Sequence, residues 1–199
     1  MIKFHNLNSE RPYLHFKDLH DQALKNNQEG IEAIVVSSYD QVKNEVEARI
    51  VNLKYIVDNE WIFFSNYHSP KAHHFESHGQ VSVLIYWGSI NTQIRIKAKI
   101  FKTSSQFSDE HFQGRTKEKN ALSISSKQSK VAESYDAVEK RFLSTLKSIT
   151  TKTTRPDSWG GYSFVPYYFE FWHGHENRLN KRHVFEEQEN KWEERLLQP

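Results

Sequence analysis

The residues able to do chemistry concentrate in the stretch 159–182, WGGYSFVPYYFEFWHGHENRLNKR. Trp159, Tyr162, Phe164, Tyr167, Tyr168, Phe169, Phe171 and Trp172 are too aromatic for a loop, and Arg178, Lys181 and Arg182 follow them closely. Rings stack on flat surfaces and guanidinium forks grip phosphates or polarised carbonyls, so the combination suits a flat, anionic, partly apolar ligand. A second anion signal lies upstream. Ser69-Pro70 opens a helix with a hydroxyl at the N-cap and proline at the first helical position, and Lys71 falls in its first turn. A lysine there opposes the helix dipole unless an anion is bound; the alternative is a solvated lysine beside an ordinary N-cap.

These residues need elements to hold them. Gly160-Gly161 reads as a turn, followed by a strand over 162–172, a turn containing Gly174 and a second strand over 178–185. Upstream, 12–27 reads as a helix that brings Leu14, Phe16, Leu19 and Leu24 together and ends at Gln28-Glu29-Gly30. Strands are expected over 33–38, 48–57 and 61–66, with a polar connection over 39–45 and a turn at Asp58-Asn59-Glu60. The Ser69 helix runs to about His78, where Gly79 stops it. Strands over 81–87 and 92–102 follow, the second alternating Ile94, Ile96, Ala98, Ile100 with Gln93, Arg95, Lys97, Lys99. Short helices over 108–114 and 119–125 precede a longer one over 134–149, whose stripe of Tyr135, Val138, Phe142, Leu146 and Ile149 reads as core. A polar loop over 147–158 leads to the aromatic stretch. The sum is a mainly β fold, a mostly antiparallel barrel with helices at its ends.

Composition narrows the function. With 199 residues the chain can bury a real core as one domain. Lys+Arg 27 against Asp+Glu 25 leaves a formal charge of +2, too even for a partner such as nucleic acid or a membrane surface. The absence of Cys removes disulfides, thiolate catalysis and iron–sulfur ligation together. No apolar run reaches signal-peptide or membrane-span length, so a soluble cytoplasmic protein is expected. Phe 13, Tyr 9 and Trp 5 must supply much of the burial, and a dimer would help such a chain finish its core. There is no G-x-G-x-x-G and no Walker A motif, and no Ser-His-Asp arrangement is evident. His73-His74 and His173-x-His175 lack a fourth ligand at sensible spacing, so no metal is expected. Lys117-Glu118-Lys119 and Glu186-Glu187-Gln188-Glu189 read as solvated charge.

The run Trp159-Gly160-Gly161-Tyr162, then Glu170-Phe171-Trp172, then Arg178-Leu179-Asn180-Lys181-Arg182, closing in Trp192 and Arg195-Leu196-Leu197-Gln198-Pro199, resembles the C-terminal signature of the pyridoxamine 5′-phosphate oxidases. These are FMN-dependent split-barrel enzymes that work as homodimers, and the resemblance extends from about residue 31 onward. It implies an FMN-binding split β-barrel over 1–199, with an N-terminal helical arm at 1–30, a helical insert at 103–150 and C-terminal strands at 159–199. It also implies cofactor contacts from Arg49, Ile50, Lys54, Phe64, Ser65, Ser69 and Lys71, then Gln93, Gln128, Ser129, Trp172 and Arg182, the segment Ser126-Lys127-Gln128-Ser129 matching well. Substrate positions fall on Lys54, His111, Arg115, Lys119, Arg178 and Asn180, with Arg178 and Asn180 in the catalytic positions.

The resemblance has departures. Pro70 stands where a second basic residue usually precedes the lysine, His111 where a tyrosine is usual, Lys119 where a serine is usual and Asn180 where a histidine is usual. His111 and Lys119 can still donate to a phosphate, whereas Asn180 loses the proton chemistry of an imidazole. The implied reaction oxidises pyridoxamine or pyridoxine 5′-phosphate to the aldehyde on the flavin, with dioxygen as acceptor and release of hydrogen peroxide. The departures leave two alternatives: a related flavin oxidase acting on another anionic aromatic substrate, of the phenazine-precursor type, or a split barrel that holds FMN or pyridoxal phosphate without turnover. Strand parity puts Arg49 and Lys54 on opposite faces unless a bulge or the end of the strand intervenes.

Overall fold

Period-two alternation dominates the chain, and the computed structural model, which describes residues Met1–Pro199, gathers the alternating segments into a 10-stranded sheet. In chain order the elements are β1 (Lys3–His5), α1 (Arg11–Lys25), β2 (Ala33–Asp40), β3 (Glu45–Asn52), β4 (Tyr55–Val57), β5 (Glu60–Asn66), α2 (Pro70–His78), β6 (Gln80–Trp87), β7 (Thr92–Lys102), α3 (Ser105–Gln113), α4 (Lys117–Ser125), α5 (Tyr135–Ser148), β8 (Trp159–His173), β9 (Lys181–Gln188) and β10 (Lys191–Leu197). Strands neighbour one another as β1-β4-β5-β8-β7-β6-β2-β3, with β9 on β8 and β10 on β9. Every ladder is antiparallel except that of β1 with β4. This is the mainly β, antiparallel architecture with flanking helices that the alternation predicts.

Strand β8 is where the sheet branches. Its residues 159–164 pair with β5, its residues 168–173 pair with β9, and β7 lies along its other side. The change of partner falls at Val165-Pro166-Tyr167, where the register against β7 shifts: Lys97 pairs with Tyr168 and Ala98 with Pro166, leaving Tyr167 as an extra residue in β8. Gly160 and Gly161 do not form the expected turn. They lie inside β8, opposite Ser65 and Phe64. A Cβ at Gly161 would stand 2.5 Å from Thr103 Oγ1 and 3.2 Å from a ring carbon of Phe64, so glycine permits a close approach there rather than a reversal.

Other boundaries also differ. The single strand expected over 48–57 is cut at Leu53-Lys54, because Leu53 is fully buried in the core and Lys54 N–H bonds to Ile62 O. Helix α1 buries Pro12, Tyr13, Phe16, Leu19, His20 and Ala23, a stripe offset from the expected one, and Leu14 is 50% exposed. Phe16 packs on Trp61 and Trp87 at centroid distances of 4.3 and 5.4 Å, joining α1 to the 27-residue core inside the sheet. Of the stripe on α5 only Ile149, just past the end of the helix, is buried; no residue within the helix is, and Tyr135 is 81% exposed, since α5 packs chiefly on α4. Strand β9 starts at Lys181 rather than at 178, because Arg178 adopts a left-handed φ of 59° in the preceding loop.

The close approach at Gly161 sets a measurable cost. Gly161→Ala is expected to lose about 1–3 kcal/mol through overpacking and to lower the melting temperature by several degrees. An unchanged thermal unfolding curve would mean that the Thr103 and Phe64 contacts are slack.

Candidate functional site

A cavity of about 810 Å³ opens between β3, β5 and the helices α2, α3 and α4. Its wall carries Arg49, Lys54, Lys71, Arg115 and Lys119, and Glu47 is the one carboxylate among the lining residues. Such an excess of cation over anion attracts a negatively charged ligand.

At one end stands Lys71. It is 8% exposed, and its ammonium donates to Ser65 Oγ at 3.2 Å and Ser69 Oγ at 3.0 Å, with no carboxylate in ion-pair range. Burial, and next the Arg49 guanidinium, push its pKa down to about 8. Two of its three protons are spent on hydroxyls, leaving a third donor. Ser69 occupies the N-cap position of α2, but its hydroxyl donates to Asn66 O at 2.8 Å instead of capping the helix, which leaves its oxygen free to accept from Lys71. Arg49 donates through Nη2 to Glu47 Oε2 at 2.8 Å and through Nη1 to Ser38 Oγ at 2.7 Å, Glu47 O at 3.0 Å and Val36 O at 3.2 Å.

The other end is aromatic. The Phe64 ring stacks on His111 at 3.7 Å and 9°, and on Trp159 at 5.2 Å and 14°. The Arg115 guanidinium lies 4.2 Å from the Trp159 ring centre, and donates to Ser123 Oγ and Lys119 O, each at 2.9 Å. Burial pushes the Arg115 pKa down to about 10. His111 Nδ1 meets Tyr55 Oη at 2.8 Å; burial and then the nearby Arg115 and Lys54 cations push its pKa down to about 4, so near pH 7 it offers a hydrogen bond and no charge.

Of the residues expected at the site, Arg49, Ile50, Lys54, Phe64, Ser65, Lys71, His111, Arg115, Lys119, Gln128 and Ser129 line this cavity, and Ser69 sits behind Lys71. The break after β3 answers the parity question, because Lys54 has left the strand that carries Arg49. The remaining five lie elsewhere. Gln93, Trp172 and Arg182 stand in register across β7, β8 and β9, and Arg178 and Asn180 lie in the loop before β9. Along the sheet, β3, which carries Ile50, is five strand-to-strand steps from β9, which carries Arg182.

This second surface has its own anchor. Glu170 is buried; it accepts from Arg182 Nε at 2.8 Å, Arg95 Nη1 at 3.0 Å and Tyr168 Oη at 3.1 Å. Burial alone would raise the Glu170 pKa, but Arg182, Arg95 and Tyr168 hold it below the usual carboxylate range. Asn180 Oδ1 accepts from His175 N at 3.0 Å, closing the loop in which Arg178 holds its left-handed backbone.

Sequence reading missed Ser38, Asp40 and His74, which meet behind Arg49, as well as Tyr55 and Ser123, which tether His111 and Arg115. The alternation of β2 puts Ser38 on the inward face with Ile34 and Val36, which is the one local signal available. No helix is long and apolar enough to cross a membrane.

Comparison with known proteins gives the following. The family profile described as "Pyridoxamine 5'-phosphate oxidase" matches residues 21–146, and one described as "Pyridoxine 5'-phosphate oxidase C-terminal dimerisation region" matches residues 159–199. A pyridoxine/pyridoxamine 5′-phosphate oxidase of Legionella pneumophila (strain Paris) is 31% identical over 189 residues, spanning 94% of this chain and 87% of that protein. One from Leptospira biflexa is 36% identical over 152 residues, spanning 76% and 72%. Among solved structures, PhzG from Burkholderia lata 383, in complex with tetrahydrophenazine-1-carboxylic acid, superposes with a TM-score of 0.89 at 24% identity, covering 95% of this chain and 93% of that one. A pyridoxamine 5′-phosphate oxidase-related, FMN binding protein from Nostoc punctiforme superposes with a TM-score of 0.77 at 10% identity, covering 96% and 99%. The shared fold is the split barrel.

The buried Lys71 charge makes a prediction independent of any ligand. Its folded pKa of about 8 lies below the ordinary 10.5, so the unfolded chain binds the extra proton, and the group opposes folding below pH 8 and ceases to as pH rises toward 10.5. Ligand-free Lys71→Met is therefore expected to be more stable than the unaltered chain at pH 7, by about 1–3 kcal/mol in urea unfolding, with the gap closing toward pH 10. A less stable variant, or a gap that ignores pH, would contradict the burial of a charged lysine.

Proposed function

The chain belongs to the pyridoxamine 5′-phosphate oxidase family, and from that premise we propose that it is an FMN-dependent oxidase of pyridoxamine or pyridoxine 5′-phosphate, working as a homodimer. The observation that carries this reading is the buried Lys71 ammonium, hydrogen-bonded to two hydroxyls, beside the cationic Arg49 and without a carboxylate of its own. A phosphate dianion is the chemistry such a cradle lacks, and Arg49, Ser65 and Lys71 fit that group, with Ser69 holding Lys71 from behind. FMN, when bound, supplies hydride acceptance from the substrate carbon and reoxidation by dioxygen with release of hydrogen peroxide.

The chain's own residues bind and orient. Lys54, Arg115 and Lys119, with the neutral donor His111, form a second cationic end suited to the substrate's phosphate. Stacking on Phe64 and Trp159 holds His111 and Arg115 in place, so their donors need no reorganisation when the anion arrives. Gln93, Trp172, Arg178 and Arg182 come from the second copy of the chain. The match of residues 159–199 to a dimerisation region supports that assignment, because it contains three of these four. In this reading Arg182, tethered by Glu170, serves the flavin, and Arg178 covers the substrate. Asn180 acts by closing the Arg178 loop rather than by moving a proton.

A second reading keeps the flavin chemistry and changes the substrate to an aromatic carboxylic acid. The uncharged His111 and the two donors that Arg115 already spends within the chain favour it, since the first adds no charge at that end and the second leaves fewer free donors for a phosphate dianion.

The purified protein is expected to be yellow, or to become so with added FMN, and to consume oxygen when given pyridoxamine 5′-phosphate. A yellow protein that is silent on that substrate but bleaches anaerobically with an aromatic acid would select the second reading. Arg182→Ala should weaken flavin retention by roughly ten- to a hundred-fold, the value of a charge-assisted hydrogen bond, whereas Arg178→Ala should stay yellow and lose turnover. Equal behaviour of the two variants, read by flavin fluorescence and oxygen uptake, would refute this division of roles.

A further inference from the structure

Behind Arg49 lies a group of side chains that the reading above does not use. Asp40, at the end of β2, accepts the amides of Val42 and Lys43 on its Oδ1 at 2.9 and 3.1 Å. Its Oδ2 stands 3.3 Å from His74 Nε2 on α2. On the other side of the ring, His74 Nδ1 stands 3.0 Å from Ser38 Oγ, and Ser38 Oγ is 2.7 Å from Arg49 Nη1. Ser38 is 3% exposed and His74 4%.

Donor and acceptor bookkeeping allows one consistent arrangement. Asp40 is held ionised, first by the Lys43 amide and further by the Val42 amide, so it can only accept from His74 Nε2. The Nε2–H tautomer leaves Nδ1 as an acceptor, and Ser38 gives it its single proton. The Ser38 oxygen is then turned toward Arg49 as a pure acceptor, matching a guanidinium that can only donate. The other tautomer would direct Nδ1–H at Ser38 and leave the hydroxyl proton without an acceptor beside a cation.

We propose that Asp40, His74 and Ser38 form a polar relay that fixes the Arg49 guanidinium at the anion-binding end of the cavity, which makes His74 and Ser38 positioning residues for the ligand's phosphate. Arg49 Nη1 is held by Ser38, Glu47 O and Val36 O, and Nη2 by the Glu47 carboxylate, so one edge of the fork is locked and Nε with the remaining Nη2 proton stays available. Pro70 contributes no donor here, so the aim of Arg49 carries more of the recognition than it would beside another cation. The trio has the composition of a hydrolytic triad, but the Ser38 oxygen is buried and committed to Arg49, so it is no nucleophile.

The proposal rests on the assignment of FMN to this cavity, and the experiment separates the two. FMN dissociation constants are measured by fluorescence quenching on cofactor-stripped protein, together with ligand-free melting temperatures, for the unaltered chain, Ser38→Ala, His74→Leu, His74→Asn and Arg49→Ala, and for Ser38→Ala combined with Arg49→Ala. Ser38→Ala and His74→Leu should each weaken FMN binding about ten-fold. His74→Asn, whose amide oxygen can take the place of Nδ1, should stay within about three-fold of the unaltered chain. In the Arg49→Ala background, Ser38→Ala should add almost nothing, because the relay acts only through Arg49. Affinities unchanged in Ser38→Ala, a full additive loss in the double variant, or no rescue by His74→Asn in a protein that melts normally would each overturn the relay while leaving the cofactor assignment intact. Failure of the unaltered chain to bind FMN at all would overturn both.

Discussion

A desolvated ammonium without a counter-charge is the constraint on which the rest of the site depends. Withdrawing a cation from water costs several kcal/mol even after relaxation, and two hydroxyls return only part of it. Lys71 nonetheless sits beside Arg49, a second cation, on a helix whose first turn disfavours positive charge. The surrounding structure contains the strain with small dipoles. Ser65 comes from β5, Ser69 from the N-cap of α2, and Glu47 neutralises Arg49 from within the same strand. The electrostatics are thus set for a visiting anion before it arrives, which is the property that makes a polar cavity selective.

The two guanidiniums most exposed to this demand are handled alike. Arg49 is gripped by Glu47 and the buried serine of β2, Arg182 by Glu170, which in turn is shared with Arg95 and Tyr168. In both cases a carboxylate and a short network hold part of the planar fork, for Arg182 together with the Gln198 carbonyl, and leave donors over. Both sit on strands, where backbone ladders limit drift, whereas Arg178 sits in a loop whose geometry depends on Asn180. The aromatic wall works through packing. Phe64 can lie flat against His111 and alongside Trp159 because Gly161, its cross-strand neighbour, brings no side chain into that space.

Much of this was legible in the sequence. Alternation placed β6, β7 and the body of β8 within a residue or two, and Gly79 marked the end of α2, where it takes a left-handed φ of 69°. Most residues that line the cavity were reachable from the motif around Ser69 and from the family resemblance. What escaped were features set by contact at a distance. Ser38 and His74 are 36 residues apart and meet only because α2 packs on β2. Gly160-Gly161 carries the same letters whether it turns a chain or admits a ring, and only the neighbours Tyr67, Thr103 and Phe64 decide. Helix α5 has a clean apolar stripe, but periodicity reports that a face is apolar and not what lies against it. The cut at Leu53-Lys54 was invisible for a related reason: alternating polar and apolar residues, Asn52, Leu53, Lys54 and Tyr55, continue through it, and the core claims Leu53 by its depth.

Pro166 has a consequence for how the chain finds its alignment. It occupies the three-residue gap in which β8 lets go of β5 and takes up β9, and it offers no N–H. Sliding either neighbour farther along β8 would bring it against a position with a missing donor. One imino acid thereby stands as an end-stop for two ladders at once, so misaligned intermediates are discouraged from both directions and the branch forms at a single place.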